Sequence, residues 1–80
     1  MSGSLHTDEY KRLCLKLKQA RIDAGLTQKL LADKLGKPQS YVAKYELAER
    51  RLDVIEFADV CKALGLNATK ALKKYLCELL

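Results

Sequence analysis

Residues 28–47 read QKLLADKLGKPQSYVAKYEL, and this stretch decides the fold. It holds two short helical patterns on either side of Gly36, Lys37 and Pro38. Leu31, Ala32 and Leu35 recur at helical spacing and share one face of a first helix, and Val42 and Tyr45 do the same in a second. Glycine enters the left-handed conformation without a Cβ penalty, so Gly36 ends the first helix. Pro38 suits the first position of the next, where a backbone N–H has no intrahelical partner. Two helices joined by so short a break must turn sharply, and Ala32 is small where their backbones come closest. The stretch is a helix-turn-helix.

Away from Val42 and Tyr45, the second helix carries Gln39, Ser40, Lys44 and part of Tyr41, with no acid before Glu46. A face that serves solubility alone usually mixes acids and bases. Glutamine bonds an adenine edge in bidentate fashion, serine bonds several base edges, and lysine reaches guanine or phosphate. The competing reading is a solvated helix face that is merely poor in acids.

The pattern extends beyond this stretch. ARIDAGLTQKLLADKLGKPQSYVAKYE is followed by two arginines and then by an amphipathic segment ending KALGL. These residues resemble the phage-repressor or Xre-type helix-turn-helix family, the lambda-repressor-like DNA-binding domains, over about residues 13–66. The resemblance rests on Arg21, Gly25, Leu26, Thr27, Gln28, Leu31, Ala32, Leu35, Gly36, Gln39, Ser40, Val42, Tyr45, Glu46, Leu64 and Gly65 in one register. It implies an all-α, five-helix lambda-repressor-like domain with the helix-turn-helix at helices 2 and 3. It also implies that helix 3 enters a major groove, with Gln39, Ser40 and Lys44 reading bases and Tyr41 at the groove edge. Gln28, Lys37 and Arg50 or Arg51 would then hold the DNA backbone. From the residues alone, Gln28 is equally a capping or surface glutamine and Arg21 equally a surface cation; the resemblance implies that Arg21 pairs with Glu46.

The chain departs from the family after Glu46. A glycine and a proline are usual where Ala48 and Leu52 stand. A left-handed turn at a non-glycine residue costs about 1 kcal/mol or more, so helix 3 is expected to run on through Leu47 to Arg50. Pro38 is a second departure, because it stands where a capping hydroxyl is common.

Eighty residues make one domain, and a chain of this size buries only about 60% of the surface its unfolded form exposes. Association would add to so small a core. Fifteen Lys and Arg against ten Asp and Glu give a net charge of +5, which favours a polyanionic partner, either nucleic acid or an anionic surface. Between residues 28 and 51 the bases Lys29, Lys34, Lys37, Lys44, Arg50 and Arg51 outnumber the acids Asp33, Glu46 and Glu49. Cys14, Cys61 and Cys77 have no metal-ligand or disulfide spacing, so neither a metal nor a cofactor is expected. Cys14 and Cys61 fall on apolar stripes as small hydrophobes. No signal peptide or bilayer-length apolar run appears, and a cytoplasmic protein that does not enter the membrane is expected.

Residues 1–6 read as a disordered N-terminus or cloning remnant that includes the lone His6, and residues 7–80 as a single helix-turn-helix domain. Thr7, Thr27 and Asp53 are placed to cap helices, with Asp8 and Glu9 in the first turn of helix 1. Tyr10, Leu13, Cys14, Leu17 and Ala20 form the stripe of helix 1, and Val54, Phe57, Ala58, Cys61 and Leu64 that of helix 4. The C-terminal helix, residues 67–80, carries more leucine than one intramolecular face needs. Leu76, Leu79 and Leu80 are therefore candidates for a two-fold dimer contact.

The leading expectation is a dimeric, sequence-specific regulator of transcription, repressor-like, that binds double-stranded DNA at a near-palindrome. A restriction-modification controller or a toxin-binding antitoxin lies in the same class, and contact with RNA polymerase is a further option. The alternative class is a protein-interaction module that reuses the fold. No catalytic constellation is visible, so no enzyme activity is expected.

Overall fold

In the computed structural model, residues 7–79 are described. Five helices follow one another among them: α1 Asp8–Asp23, α2 Gln28–Leu35, α3 Gln39–Glu46, α4 Val54–Ala63 and α5 Ala68–Leu79. Each start has a local cause. The Thr7 hydroxyl accepts the Tyr10 N–H at 3.3 Å, and the Thr27 hydroxyl accepts the Leu30 N–H at 3.0 Å. Asp53 and Glu56 form a reciprocal capping box on α4. Asn67 accepts the Lys70 N–H at 2.9 Å, so it caps α5 rather than belonging to it.

Pro38 does not take the first helical position. Its ψ of 156° makes it the N-cap of α3, and it supplies no side-chain acceptor. The pyrrolidine ring fixes φ near −70°, which suits an extended cap as well as a helical residue.

The α2–α3 turn is made at Gly36, with φ 68°. The Lys37 N–H then reaches the Ala32 carbonyl at 3.0 Å and the Gly36 N–H the Asp33 carbonyl at 3.2 Å. Carbonyls that the helix end would leave unpaired are satisfied in this way. The same closure ends α3, and here the expectation of a longer helix fails. Helix α3 stops at Glu46, and Ala48 adopts φ 61°. The Glu49 N–H bonds the Lys44 carbonyl at 2.8 Å and the Ala48 N–H the Tyr45 carbonyl at 3.0 Å.

Packing explains why alanine takes a glycine's place. Ala48 is 2% exposed and joins Tyr10 and Cys14 in a small cluster. Burying one methyl contributes about 0.8 kcal/mol, close to the cost of the left-handed backbone. Ala48→Val, which adds two methyls and a β-branch at this corner, is expected to lose about 1–3 kcal/mol from overpacking alone, read as a lower urea midpoint. A midpoint equal to the parent's would show that the corner has room.

The main core gathers Leu17 from α1, Leu31 and Ala32 from α2, Val42 and Tyr45 from α3, Phe57, Val60, Cys61 and Leu64 from α4, and Ala71 and Tyr75 from α5. Helix α2 packs on α3 and α4, while α1 packs on α3 and α5. One member of the expected α4 stripe is misplaced. Val54 is 74% exposed, and Val60, which was not assigned to the stripe, is fully buried. The first turn of α4 stands on the rim of an open groove lined also by Tyr10, Leu13, Phe57 and Leu72, so Val54 has no core beside it. Cys14 and Cys61 are buried and Cys77 is exposed. Burial pushes the Cys61 thiol up to about 11, so it packs as a neutral side chain.

Candidate nucleic-acid interface

Helix α3 divides cleanly. Val42 and Tyr45 are fully buried against α2, α1 and α4, while Gln39, Ser40 and Lys44 are exposed and Tyr41 is half-buried. No hydrogen bond or ion pair with another described residue engages the side chains of Gln39, Ser40 or Lys44. The core that α3 enters therefore fixes which of its side chains face outward.

Glu46, the one acid of α3, is turned inward. Its Oε2 accepts the Arg21 Nε at 2.7 Å and its Oε1 accepts Arg21 Nη2 at 3.2 Å. The carboxylate is 2% exposed and the guanidinium side chain 10%. Arg21 also donates through Nη1 to the Leu26 carbonyl at 2.8 Å, so one side chain ties α1 to the α1–α2 loop and to α3. Glu46 Oε1 takes a further bond from Gln28 Nε2 at 2.9 Å. The exposed face of α3 is thus free of negative charge along its whole length.

The candidate backbone contacts gather beside that face. Gln28 opens α2 with its amide nitrogen on Glu46. Lys37 Nζ lies 5.5 Å from the centroid of the Tyr41 ring and Arg50 Cζ 4.7 Å from it, while the edge of Tyr41 meets Tyr45 at 5.9 Å between centroids. Tyr41 thereby gathers cations from both ends of α3. Arg50 also donates through Nη2 to Glu56 Oε2 at 2.5 Å. The backbone N–H of Asp53 and then Arg50 hold the Glu56 carboxyl below its usual range. Arg51 is exposed, and its guanidinium lies 4.7 Å from the centroid of the Tyr10 ring.

Of the dimer candidates, Leu76 is 39% exposed on α5; Leu80 and the side chain of Leu79 lie outside the described residues. Leu72, at 36%, shares this exposure. No group of acidic, histidine or cysteine side chains suited to a metal ion occurs among the described residues, and no described helix is long and apolar enough to cross a membrane.

Two contributors escaped the sequence reading. Glu56 was legible, because an acid three residues after Asp53 is the capping-box spacing. Tyr10 was not: its hydroxyl meets a loop forty residues away, and no local pattern encodes that contact.

A helix-turn-helix family model matches residues 17–70. An XRE-family like protein from Pseudomonas syringae pv. tomato is 50% identical, with 88% of this chain and 85% of that chain covered and a TM-score of 0.83. The restriction-modification controller protein C.AhdI from Aeromonas hydrophila is 26% identical over 82% of this chain and 98% of its own, with a TM-score of 0.72. The restriction-modification controller protein C.Esp1396I, solved as a tetramer with its natural 35-base-pair operator, shares the fold. It is 20% identical over 92% of this chain and 97% of its own, with a TM-score of 0.82. No curated protein matches the chain.

Proposed function

The chain belongs to the XRE-type helix-turn-helix family, and from that premise we propose that it is a DNA-binding regulator of transcription, repressor-like in mode and cytoplasmic. The observation that carries the reading is the acid-free outer face of α3, produced by turning Glu46 into the interior. Gln39, Ser40 and Lys44 read base edges in the major groove, with Tyr41 at its rim against a thymine methyl or a phosphate. Gln28, Lys37 and the arginines of the α3–α4 loop hold the backbone and fix the register of α3 without reading sequence. The Gln28 carboxamide keeps its carbonyl and one N–H beyond the bond to Glu46, so it can serve both partners.

The protein acts as a homodimer on two half-sites about 34 Å apart. The partner copy covers the apolar surface left on α5 and the first turn of α4, where Leu72, Leu76, Val54 and Ile55 are exposed. Leu76→Lys is expected to give a monomer in sedimentation velocity. It should lose about tenfold or more in affinity for a duplex with two half-sites and none for a duplex with one. A Leu76→Lys protein that sediments as the parent does would place the contact elsewhere.

The retained, uncharged-to-basic face of α3 speaks against an interaction module that has given up DNA. Titration of labelled protein with a mixed-sequence duplex at low salt tests the reading directly. Amide shifts should concentrate at Gln28, Lys37, residues 39–44 and the loop holding Arg50 and Arg51. Shifts centred on α1, or none at all, would contradict it.

A further inference from the structure

We propose that Glu56 sets the strength of DNA binding: in the free protein its carboxylate holds Arg50 in the place of a DNA phosphate, and the complex forms by exchanging one for the other. This rests on the DNA-binding reading above and deepens it. Glu56 stands three residues after Asp53, in the first turn of α4, where an acid completes the capping box and opposes the positive end of the helix dipole. Its two oxygens have separate tasks. Oε1 accepts the Asp53 N–H at 3.0 Å, and Oε2 accepts Arg50 Nη2 at 2.5 Å. The cap therefore needs an oxygen at this position but not a charge. The charge falls on Arg50.

Arg50 belongs to the group of cations beside α3. Its guanidinium and the Lys37 ammonium both lie against the Tyr41 ring, at 4.7 and 5.5 Å from the centroid. Burial raises the Tyr41 phenol above its usual range and the Glu56 charge adds to this, so the ring faces both cations with a neutral hydroxyl. Glu56 thus sets a carboxylate inside the group that would meet a phosphate, and both oxyanions accept from a guanidinium in the same way. The pose of Arg50 on Glu56 is an imperfect one. Its Nε is buried with no acceptor among the described residues, although the side chain as a whole is 42% exposed. A buried donor without an acceptor destabilises the pose that holds it. Turning outward from Glu56 to a phosphate frees that N–H to find one. The exchange replaces one charge-assisted bond with another, so Glu56 keeps the loop's affinity below what Arg50 could supply.

The test compares the parent with Glu56→Gln, Arg50→Gln and the double variant, on a duplex enriched from a random pool, across a salt series. Glutamine keeps the length of the side chain and an oxygen for the Asp53 N–H, and removes the charge. Glu56→Gln should bind about fivefold more tightly than the parent, the scale of one partly exposed ion pair. Its slope of log affinity against log salt should steepen by about one, because Arg50 then meets a phosphate without first leaving a carboxylate. Loss of an acid from the first turn of α4 should lower the urea midpoint slightly, so tighter binding would not reflect a firmer fold. In the Arg50→Gln background the same change should gain less than about twofold and leave the slope alone, since no cation remains to release. In the parent itself, the Arg50 Nε–H resonance should move when duplex is added. A resonance unmoved at saturation would overturn the inference without any variant. An equal gain in both backgrounds would overturn it, since a carboxylate that merely repels DNA predicts that result. Weaker binding by Glu56→Gln would overturn it too, by making Glu56 a support for Arg50 in the complex. A parent that binds no duplex overturns the DNA reading and this inference with it; a binding parent with an indistinguishable Glu56→Gln overturns this inference alone.

Discussion

Glu46→Ala is expected to lower the stability of the domain by about 3–5 kcal/mol, measured by urea unfolding. The carboxylate accepts two bonds from Arg21 and one from Gln28 while almost wholly out of water. Removing it leaves the Arg21 guanidinium buried beside an alanine, and an uncompensated buried charge costs far more than an exposed ion pair contributes. A domain of this size has a total stability on the order of 5–15 kcal/mol, so the loss is a large fraction of the whole and should lower the urea midpoint steeply. The effect should be strongly non-additive: replacing both partners with apolar residues, as in Arg21→Met with Glu46→Leu, should cost less than Glu46→Ala alone. A double variant that loses the sum of the single losses would show that the two residues act separately.

The second large effect falls on recognition. Gln39→Ala or Lys44→Ala is expected to weaken binding to the preferred duplex by about 1–3 kcal/mol and to relax the preference at one base position. Both side chains stand outside the core, so the fold should survive either change with the parent's urea midpoint. Binding to mixed-sequence DNA should change little for Gln39→Ala, since phosphate contacts supply that term. Parent-like affinity and selectivity in both variants would remove these residues from the reading surface.

Much of the scaffold was legible because its signals are local. Thr27 before an apolar run, Gly36 after it and Asp53 before the next pattern each satisfy backbone groups within a few residues of themselves. The contacts that the sequence hid depend on distant neighbours. Local propensity placed helix through Ala48, but its methyl is buried in a cluster with Tyr10 and Cys14, which offsets the backbone cost. Periodicity placed Val54 in the core, but the first turn of α4 overhangs an open groove, and Val60 sits inside instead. The candidate site followed the same rule. The outward set of α3 was readable from spacing, whereas the setting of the α3–α4 loop depends on Glu56, which pairs with Arg50, and on the Tyr10 hydroxyl, which only the fold brings near.

The central claim is that α3 reads DNA sequence from a two-fold assembly. Selection of bound sequences from a random duplex pool, at one stated salt concentration, tests it most directly. The account predicts enrichment of a near-palindrome whose half-sites are centred about one helical turn apart, and loss of one conserved base position when Gln39 is replaced. Enrichment of no sequence above background, from folded protein at low salt, would contradict it.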